Sequence, residues 1–308
     1  MLLMPALATL ALFRVYPLVL AAILSFQRWD GISPPQWIGV QNYDSLIHDP
    51  LLAAGLRNNL IILGVLEAST TFSYAIAVAL HSKLPGARIF RALYLLPAVL
   101  SPYVIGVFWD QILDYQGPLN RVLRDLGLGG AAIVWLAGPL SSRIWLMIII
   151  VWSVFGIGVV IFLAGLATLD PDLSDAARVD GASSIQAQWH VILPQIARIY
   201  GLWAIVIVIT DFTGLTPLVI ALTNGGPGSS TMEVGLRLYE AAFSDGQYGY
   251  ASAIGLATVA FVAIVILLIL ALSRLWVWSQ RRPSMVFGLK RSPVSQGTAK
   301  LSGRMVEP

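Results

Sequence analysis

Residues 170–194 read DPDLSDAARVDGASSIQAQWHVILP, a polar stretch set between an apolar run over 144–168 and another over 199–222. The stretch carries its own start and stop signals. Asp170 is placed to cap a helix whose first residue is Pro171, where a missing N–H does no harm and a fixed φ helps. Leu173, Ala176 and Ala177 then share one face, and Gly181 follows where helices often end in a left-handed residue. Ser183 and Gln186 have the spacing of a capping box for a second short helix, which Pro194 is expected to end or kink. The expected product is a helix, a glycine turn and a second helix that lie on a membrane surface as a docking element.

The flanking runs decide the class. Of the 308 residues 57% are hydrophobic and 11% are charged, and the mean hydropathy is +0.78, whereas a soluble domain carries roughly 25% charged residues. The chain is therefore read as an integral membrane protein. Crossing a hydrocarbon core of roughly 30 Å takes about 20 apolar residues, and six runs qualify, at 2–26, 60–80, 92–113, 144–168, 199–222 and 251–278. They are continuous and do not alternate with period two, so they are helices and not barrel strands. The expected fold is all-α: a polytopic membrane domain over 1–278 with six transmembrane helices and the helix-turn-helix loop 170–194, followed by a basic, disordered tail over 279–308. The first run is longer than a secretory signal and has no basic leader before it, so it is expected to be the first span.

Lys83, Arg88, Arg91, Arg178, Arg198, Arg274 and the basic residues of 281–304 fall on one side of these spans. They outnumber Arg28, Arg57, Arg121, Arg124, Arg143 and Arg237 on the other. The positive-inside rule then places both termini and the 170–194 loop in the cytoplasm. Cysteine is absent, which excludes disulfides and thiolate metal sites. The pI near 9.3 comes largely from the tail, whose simplest partner is anionic lipid headgroups. No basic patch interleaved with aromatics argues for nucleic acid.

Asp175-Ala176-Ala177, Asp180-Gly181-Ala182 and Leu193-Pro194 match, in order and spacing, the E-A-A-x-x-x-G loop with its D-G-A and L-P extensions. Leu222-Thr223-Asn224-Gly225-Gly226-Pro227 with Ser230-Thr231 resembles the L-T-x-G-G-P segment of maltose-type carbohydrate permeases. Tyr16-Pro17 with Ser25-Phe26, Gly39-Val40-Gln41-Asn42-Tyr43, and Leu95-Leu96-Pro97 with Trp109 resemble other parts of that subfamily. On these motifs the chain resembles the permease subunits of binding-protein-dependent ABC importers of the carbohydrate type. It departs at Asp175, where Glu is usual, which keeps the charge but shortens its reach.

The resemblance implies that Asp175, Ala176, Ala177, Asp180, Gly181, Ala182, Trp189, Leu193 and Pro194 couple the chain to an ATPase. It also implies a second related permease, two ABC ATPase subunits, an extracytoplasmic solute-binding protein and a carbohydrate or polyol phosphate substrate, in the cytoplasmic membrane of a prokaryote. ATP and Mg²⁺ are then expected on the ATPase subunits and no cofactor on this chain, which is not itself an enzyme. Consistent with this, no G-x-x-x-x-G-K-[ST] stretch is present to cradle phosphates. His48, His81 and His190 stand in separate segments without metal-site spacing. Gly127, Gly129 and Ala132 fit G-x-G-x-x-A but have no strand before them, so they read as a surface turn.

Charges inside apolar runs are expensive and therefore informative. Asp211, with Phe212 and Thr213, lies within the fifth run; it either lines a transport path for a sugar or makes an interhelical hydrogen bond. Glu67, followed by Ser69, Thr70 and Thr71, carries the same two readings. Asp110 beside Trp109 suggests the outer mouth, and Arg14 falls inside the first run with no evident partner. Pro217 should weaken the fifth span at Thr216-Pro217, and transporters place such breaks beside the substrate route. Asn224, Gly225, Gly226 and Pro227 are expected to form a flexible turn on the outer side, which the family resemblance puts near the gate and the docked binding protein; a plain surface loop is the alternative. A stand-alone secondary transporter or channel is the competing function. It would need ion-coupling charges or an internal repeat, and the two halves display no convincing repeat.

Overall fold

The computed structural model describes residues 3–81, 87–170 and 172–280, with the side chains of 87–92, 174, 175, 178 and 275–280 excepted. Pro171, the Asp175 side chain and the tail beyond Gln280 thus lie outside the described residues. The chain begins with α1 (Met4–Leu24), an apolar helix whose spanning window buries nothing in the protein. A π-helical turn at Ala11–Val15 interrupts it and carries the exposed Arg14. Two short strands follow, β1 (Gln27–Arg28) and β2 (Gln36–Trp37), paired antiparallel with Gln27 opposite Trp37. Next come α2 (Gln41–His48) and α3 (Pro50–His81). The amide of Asn42 donates to the carbonyls of Ser25 (2.8 Å) and Gln27 (2.9 Å), which ties α2 back to the end of α1.

Helix α3 starts at Pro50 and not near residue 60, because Asp49 caps it. The Oδ1 atom of Asp49 accepts from the N–H groups of Leu51 and Leu52 at 2.8 and 3.1 Å, satisfying donors that have no partner inside a helix. Apolar runs register only the middle of such a helix, so Asn58 and Asn59 are helical although they precede the run. The chain continues through α4 (Ala87–Val99), α5 (Pro102–Leu113), α6 (Pro118–Asp125) and α7 (Pro139–Leu166). The 170–194 segment forms α8 (Asp172–Val179) and α9 (Ser184–Gln195), and α10 (Ala197–Thr213), α11 (Thr216–Leu222), α12 (Val234–Tyr239) and α13 (Tyr248–Gln280) complete the fold.

Four described helices, α1, α3, α7 and α13, are each long and apolar enough to cross a membrane, and up to six spans result if each bent pair counts as one. Two of the expected spans are broken helices. The run 92–113 is not one straight helix: the segments on either side of Leu100 and Ser101 meet at 112°. Pro102 holds Ser101 extended (φ −67°, ψ 147°), and the Ser101 hydroxyl accepts from the Val104 N–H to open a new helix. The run 199–222 is likewise divided, with α10 ending at Thr213 and α11 beginning at Thr216. The break falls at Gly214 and Leu215, just before the expected site, and Pro217 occupies the first turn of the new helix, where its missing N–H is harmless.

Lipid tails are as apolar as leucine, so helices in a bilayer associate by close packing and not by exclusion of water. The core reflects this. Helix α7 crosses α4 so closely at Gly156 that a Cβ there would collide with the Tyr94 carbonyl. Two residues on, the fully buried Trp203 of α10 lies against Gly158, with ring atoms 3.0 Å from where a Cβ would stand. Leu66, Ile149, Ile150, Phe162 and Val219 belong to one core cluster and have no exposed surface.

Candidate functional site

The 170–194 segment folds as its capping residues require. Asp170 Oδ1 accepts from the Asp172 N–H (3.0 Å) and starts α8. Gly181 closes it at φ +83°, with the Ala182 N–H donating to the Ala177 carbonyl (3.0 Å), the long bond of a Schellman turn. The capping box of the second helix is complete, Ser183 Oγ accepting from Gln186 N–H and Gln186 Oε1 accepting from Ser183 N–H. A π-helical turn at Gln188–Ile192 leads to Leu193 and Pro194, and a bend of 74° at Ile196 opens α10.

One face of this element is anchored to the membrane domain. Ala177, Ala187, Ile192 and Ile196 are buried, and Leu173 and Leu193 pack against the core. The Tyr74 hydroxyl of α3 donates to Gln188 Oε1 at 2.9 Å. Ala177 therefore faces inward while Ala176, Asp180 and Gly181 face out, so the two alanines do not share an exposed face. Three large apolar side chains of the element are exposed: Val179 at 87%, Ile185 at 71% and Trp189 at 54%, the last lining an apolar cleft with Tyr74, Tyr200 and Leu272 of the membrane domain. Of these only Trp189 belongs to the motif-based set. Val179 and Ile185 were detectable in principle as isolated apolar residues on the polar faces of two short helices.

The second cluster lies at the far end of α10, whose 17 residues span about 25 Å at 1.5 Å per residue. Asp211 is fully buried. The Asn59 amide donates to its backbone carbonyl (3.0 Å) and to its Oδ1 (3.3 Å), while Asn59 Oδ1 accepts from the Val234 N–H (2.9 Å). Asn58 donates to the carbonyls of Ser229 and Met232. Glu233 caps α12 by accepting from the Gly235 N–H (3.0 Å). Burial raises the Glu233 pKa, opposed by hydrogen bonds from Thr216, Gly235 and Leu236. Asp211 Oδ2, Glu233 Oε1 and Asn58 Oδ1 have no hydrogen-bond partner among the described residues.

The geometry thus gives Asp211 the interhelical hydrogen bond that was one of its two readings, and Phe212 is buried against Phe261 of α13, ring centroids 5.3 Å apart. Thr213 is exposed, its hydroxyl donating to the Ile209 carbonyl. Glu67 is half-buried with Oε1 unpartnered among the described residues. Asn58, Asn59 and Glu233 carry no such signal in the sequence, because they fall outside the apolar runs, where a polar residue stands out.

The Asn224–Pro227 turn, expected to be flexible, is held by hydrogen bonds in the structure. Asn224 (φ 47°) and Gly225 (φ 82°) are left-handed. The Thr231 hydroxyl donates to the Gly226 carbonyl (2.9 Å) and sits 2.7 Å from the Thr223 hydroxyl. Farther along, Ser142 and Arg143 of α7 hold Ser230. An ionic cluster completes this end: Arg237 bridges Asp49 (2.7 Å) and Asp245 (2.9 Å), and the Tyr250 hydroxyl donates to Asp49 (2.7 Å). Burial opposes the charge on Asp49, but its bonds from Arg237, Tyr250 and the Leu52 N–H prevail and hold its pKa below the ordinary aspartate value.

An all-α bundle with broken apolar helices and a helix–glycine turn–helix projecting between its fourth and fifth apolar runs defines a polytopic membrane subunit of the transport type. Residues 69–284 match the family model described as the binding-protein-dependent transport system inner membrane component. The chain belongs to that family. It is 31% identical over 266 residues to the multiple sugar-binding transport system permease protein MsmF of Streptococcus mutans, covering 85% of this chain and 90% of that one. It is 29% identical over 282 residues to the diacetylchitobiose uptake system permease protein NgcF of Streptomyces coelicolor, covering 87% and 80%. In fold it is similar to a chain of a bacterial ABC transporter involved in import of the acidic polysaccharide alginate, with a TM-score of 0.75, 18% identity, and coverage of 89% and 93%.

Proposed function

We propose that this chain is one permease subunit of an ATP-driven carbohydrate importer, forming half of a translocation pore with a second, related permease. The observation that carries the reading is the coupling element: a doubly capped helix pair that buries one face in the membrane domain and leaves Val179 and Ile185 exposed. Such a surface fits a cleft on an ATPase subunit, and two ATPases, with their own ATP and Mg²⁺, complete the cytoplasmic side. Carbohydrate as the substrate class is supported by the sugar named for MsmF and NgcF. A solute-binding protein would deliver it at the far end, near the Asn224–Pro227 turn.

In this reading both termini and the coupling element are cytoplasmic, and closure of the ATPases moves α8 and α9 as one body. The displacement passes to α3 through the Tyr74–Gln188 hydrogen bond and to α10 through the buried Ile192 and Ile196. Alternating access follows only if the two states differ in their contacts. Asp211 is held by Asn59, which also holds Val234, and the exposed Thr213 and half-buried Glu67 are the stronger candidates for the path.

The test is reconstitution of the chain with its ATPase, second permease and binding protein, with hydrolysis and uptake measured against a panel of sugars. Hydrolysis stimulated by sugar-loaded binding protein is expected; uptake by the chain alone, without ATPase subunits, would instead make it a secondary transporter. Sidedness is checked by impermeant maleimide on intact cells, where Gly130→Cys should label and Ser184→Cys should not.

A further inference from the structure

A polar pocket of about 580 Å³ lies at the end of α3 remote from the coupling element. Asp49, which caps the start of α3, stands on its wall, whereas Tyr74, which bonds the coupling element, comes about 36 Å later along the helix axis. The volume lies within the roughly 300–1,000 Å³ typical of small-molecule sites. Residues 28–30, helix α2, Arg237 of α12 and the segment 245–250 all contribute to the wall.

The carboxylates of the pocket are already engaged. Asp30 accepts from the N–H groups of Ile32 (2.9 Å) and Ser33 (2.7 Å) and from the Ser33 hydroxyl (2.8 Å). Asp49 accepts from Arg237, Tyr250 and two backbone N–H groups, and Asp245 Oδ2 accepts from Arg237. A calcium ion takes about 6–8 oxygen ligands, and here it would meet the guanidiniums of Arg28 and Arg237 instead. An anion fits no better, because Asp30, Asp49 and Asp245 outnumber those two cations.

The groups left over form a mixed set of donors and acceptors. Among the described residues, no hydrogen bond uses the side-chain amides of Gln41 and Gln247, Asn42 Oδ1, Asp245 Oδ1 or Arg237 Nη2. Asn42 is only 8% exposed and is fixed by its amide bonds to Ser25 and Gln27, so it is a positioned wall residue. Trp29 adds a half-buried ring braced by Tyr248, with ring centroids 5.6 Å apart. A neutral sugar ring matches this set: each hydroxyl both donates and accepts, and a C–H face packs on an aromatic ring that is apolar in body. We propose that the pocket binds a neutral saccharide, one ring lying against Trp29 and its hydroxyls bonded to Asn42, Gln41, Gln247 and Arg237. The inference deepens the carbohydrate reading and rests on it, giving this chain its own contact with sugar at the end where the Asn224–Pro227 turn lies.

The assembled importer, in nanodiscs and without binding protein, is titrated with the neutral trisaccharides maltotriose and raffinose, and saturation transfer to the sugar protons is followed by NMR. Transfer to at least one of the two is expected, strongest at ring C–H protons. Gln41→Ala with Gln247→Ala removes side chains that hold no described partner, so the melting temperature should stay unchanged while affinity falls about tenfold, as two lost hydrogen bonds imply. Ser45→Trp, at an exposed position on the wall, should block the pocket sterically and gives a second reading. Absence of transfer from both sugars, or transfer undiminished in both variants, would overturn the assignment. So would loss of binding-protein capture in the variants without any sugar signal, which would give the pocket to that partner. ATP-driven uptake that continues in any of these cases leaves the importer reading standing, whereas saturation transfer from a chain that transports without ATPase subunits would keep the site and remove that reading.

Discussion

Gly181 offers the most direct test of the coupling element, because its requirement is conformational and not steric. Its φ of +83° lies in the left-handed region, which costs a residue with a Cβ about 1–2 kcal/mol. A Cβ at this position meets nothing within 4 Å. Gly181→Ala and Gly181→Leu should therefore shift the closed turn toward an open one by the same factor, roughly 5- to 30-fold. Either change weakens the bond from Ala182 to the Ala177 carbonyl that fixes the angle between α8 and α9. Asparagine tolerates the left-handed region, so Gly181→Asn should retain most of the wild-type behaviour. The assay is ATP hydrolysis stimulated by loaded binding protein, beside sugar uptake, in the reconstituted importer. Damage by Asn equal to that by Ala, or an Ala variant indistinguishable from wild type, would refute the conformational argument. A Leu variant far worse than Ala would mean that a partner surface packs directly against the turn.

Three further outcomes are expected. Ile185→Asp and Val179→Asp change exposed residues without touching the buried face, so they should lower recovery of ATPase subunits in pull-downs while the membrane domain keeps its melting temperature. Asn59→Leu removes the donor to Asp211 and the acceptor of the Val234 N–H, leaving buried groups unpaired at about 1–3 kcal/mol each, and should reduce the amount of folded chain in the membrane. Arg237→Met should destabilise by about 3–5 kcal/mol, as breaking a largely buried ion pair does. Because the folded pKa of Asp49 is depressed, the stability it contributes is present above the unfolded aspartate value and is lost as pH falls through the folded one. The melting temperature of the wild type should accordingly drop more on acidification than that of Asp49→Asn.

The coupling segment was legible in detail because its signals are local. Asp170, Gly181, Ser183 and Gln186 act on backbone groups within a few residues, and each does in the structure what its spacing implied. The spans were legible as apolar runs but not in their shape. Apolarity does not report a 112° bend; Ser101-Pro102 and Gly214 do, yet whether such residues kink, stop or merely tolerate a helix depends on what packs beside them. Ala177 shows the same limit, since the spacing that put it beside Ala176 could not say which of the two would be covered.

The amino-acid sequence by itself determined that this chain is an all-α membrane protein and that a capped helix pair projects between two of its apolar runs, because composition and capping are properties of residues and their near neighbours. The tertiary structure alone decided that Asp211 is enclosed with Asn59 close to Glu233, that the Asn224–Pro227 turn is pinned, and that Val179, Ile185 and Trp189 stand exposed. The enclosure of Asp211 rests on hydrogen bonds between residues more than 150 positions apart, such as Asn59 to Asp211 and Val234 to Asn59, the turn on hydroxyl contacts such as Thr231 to Gly226, and the exposed side chains on which face of each helix finds a neighbour, none of which leaves a periodic trace along the chain.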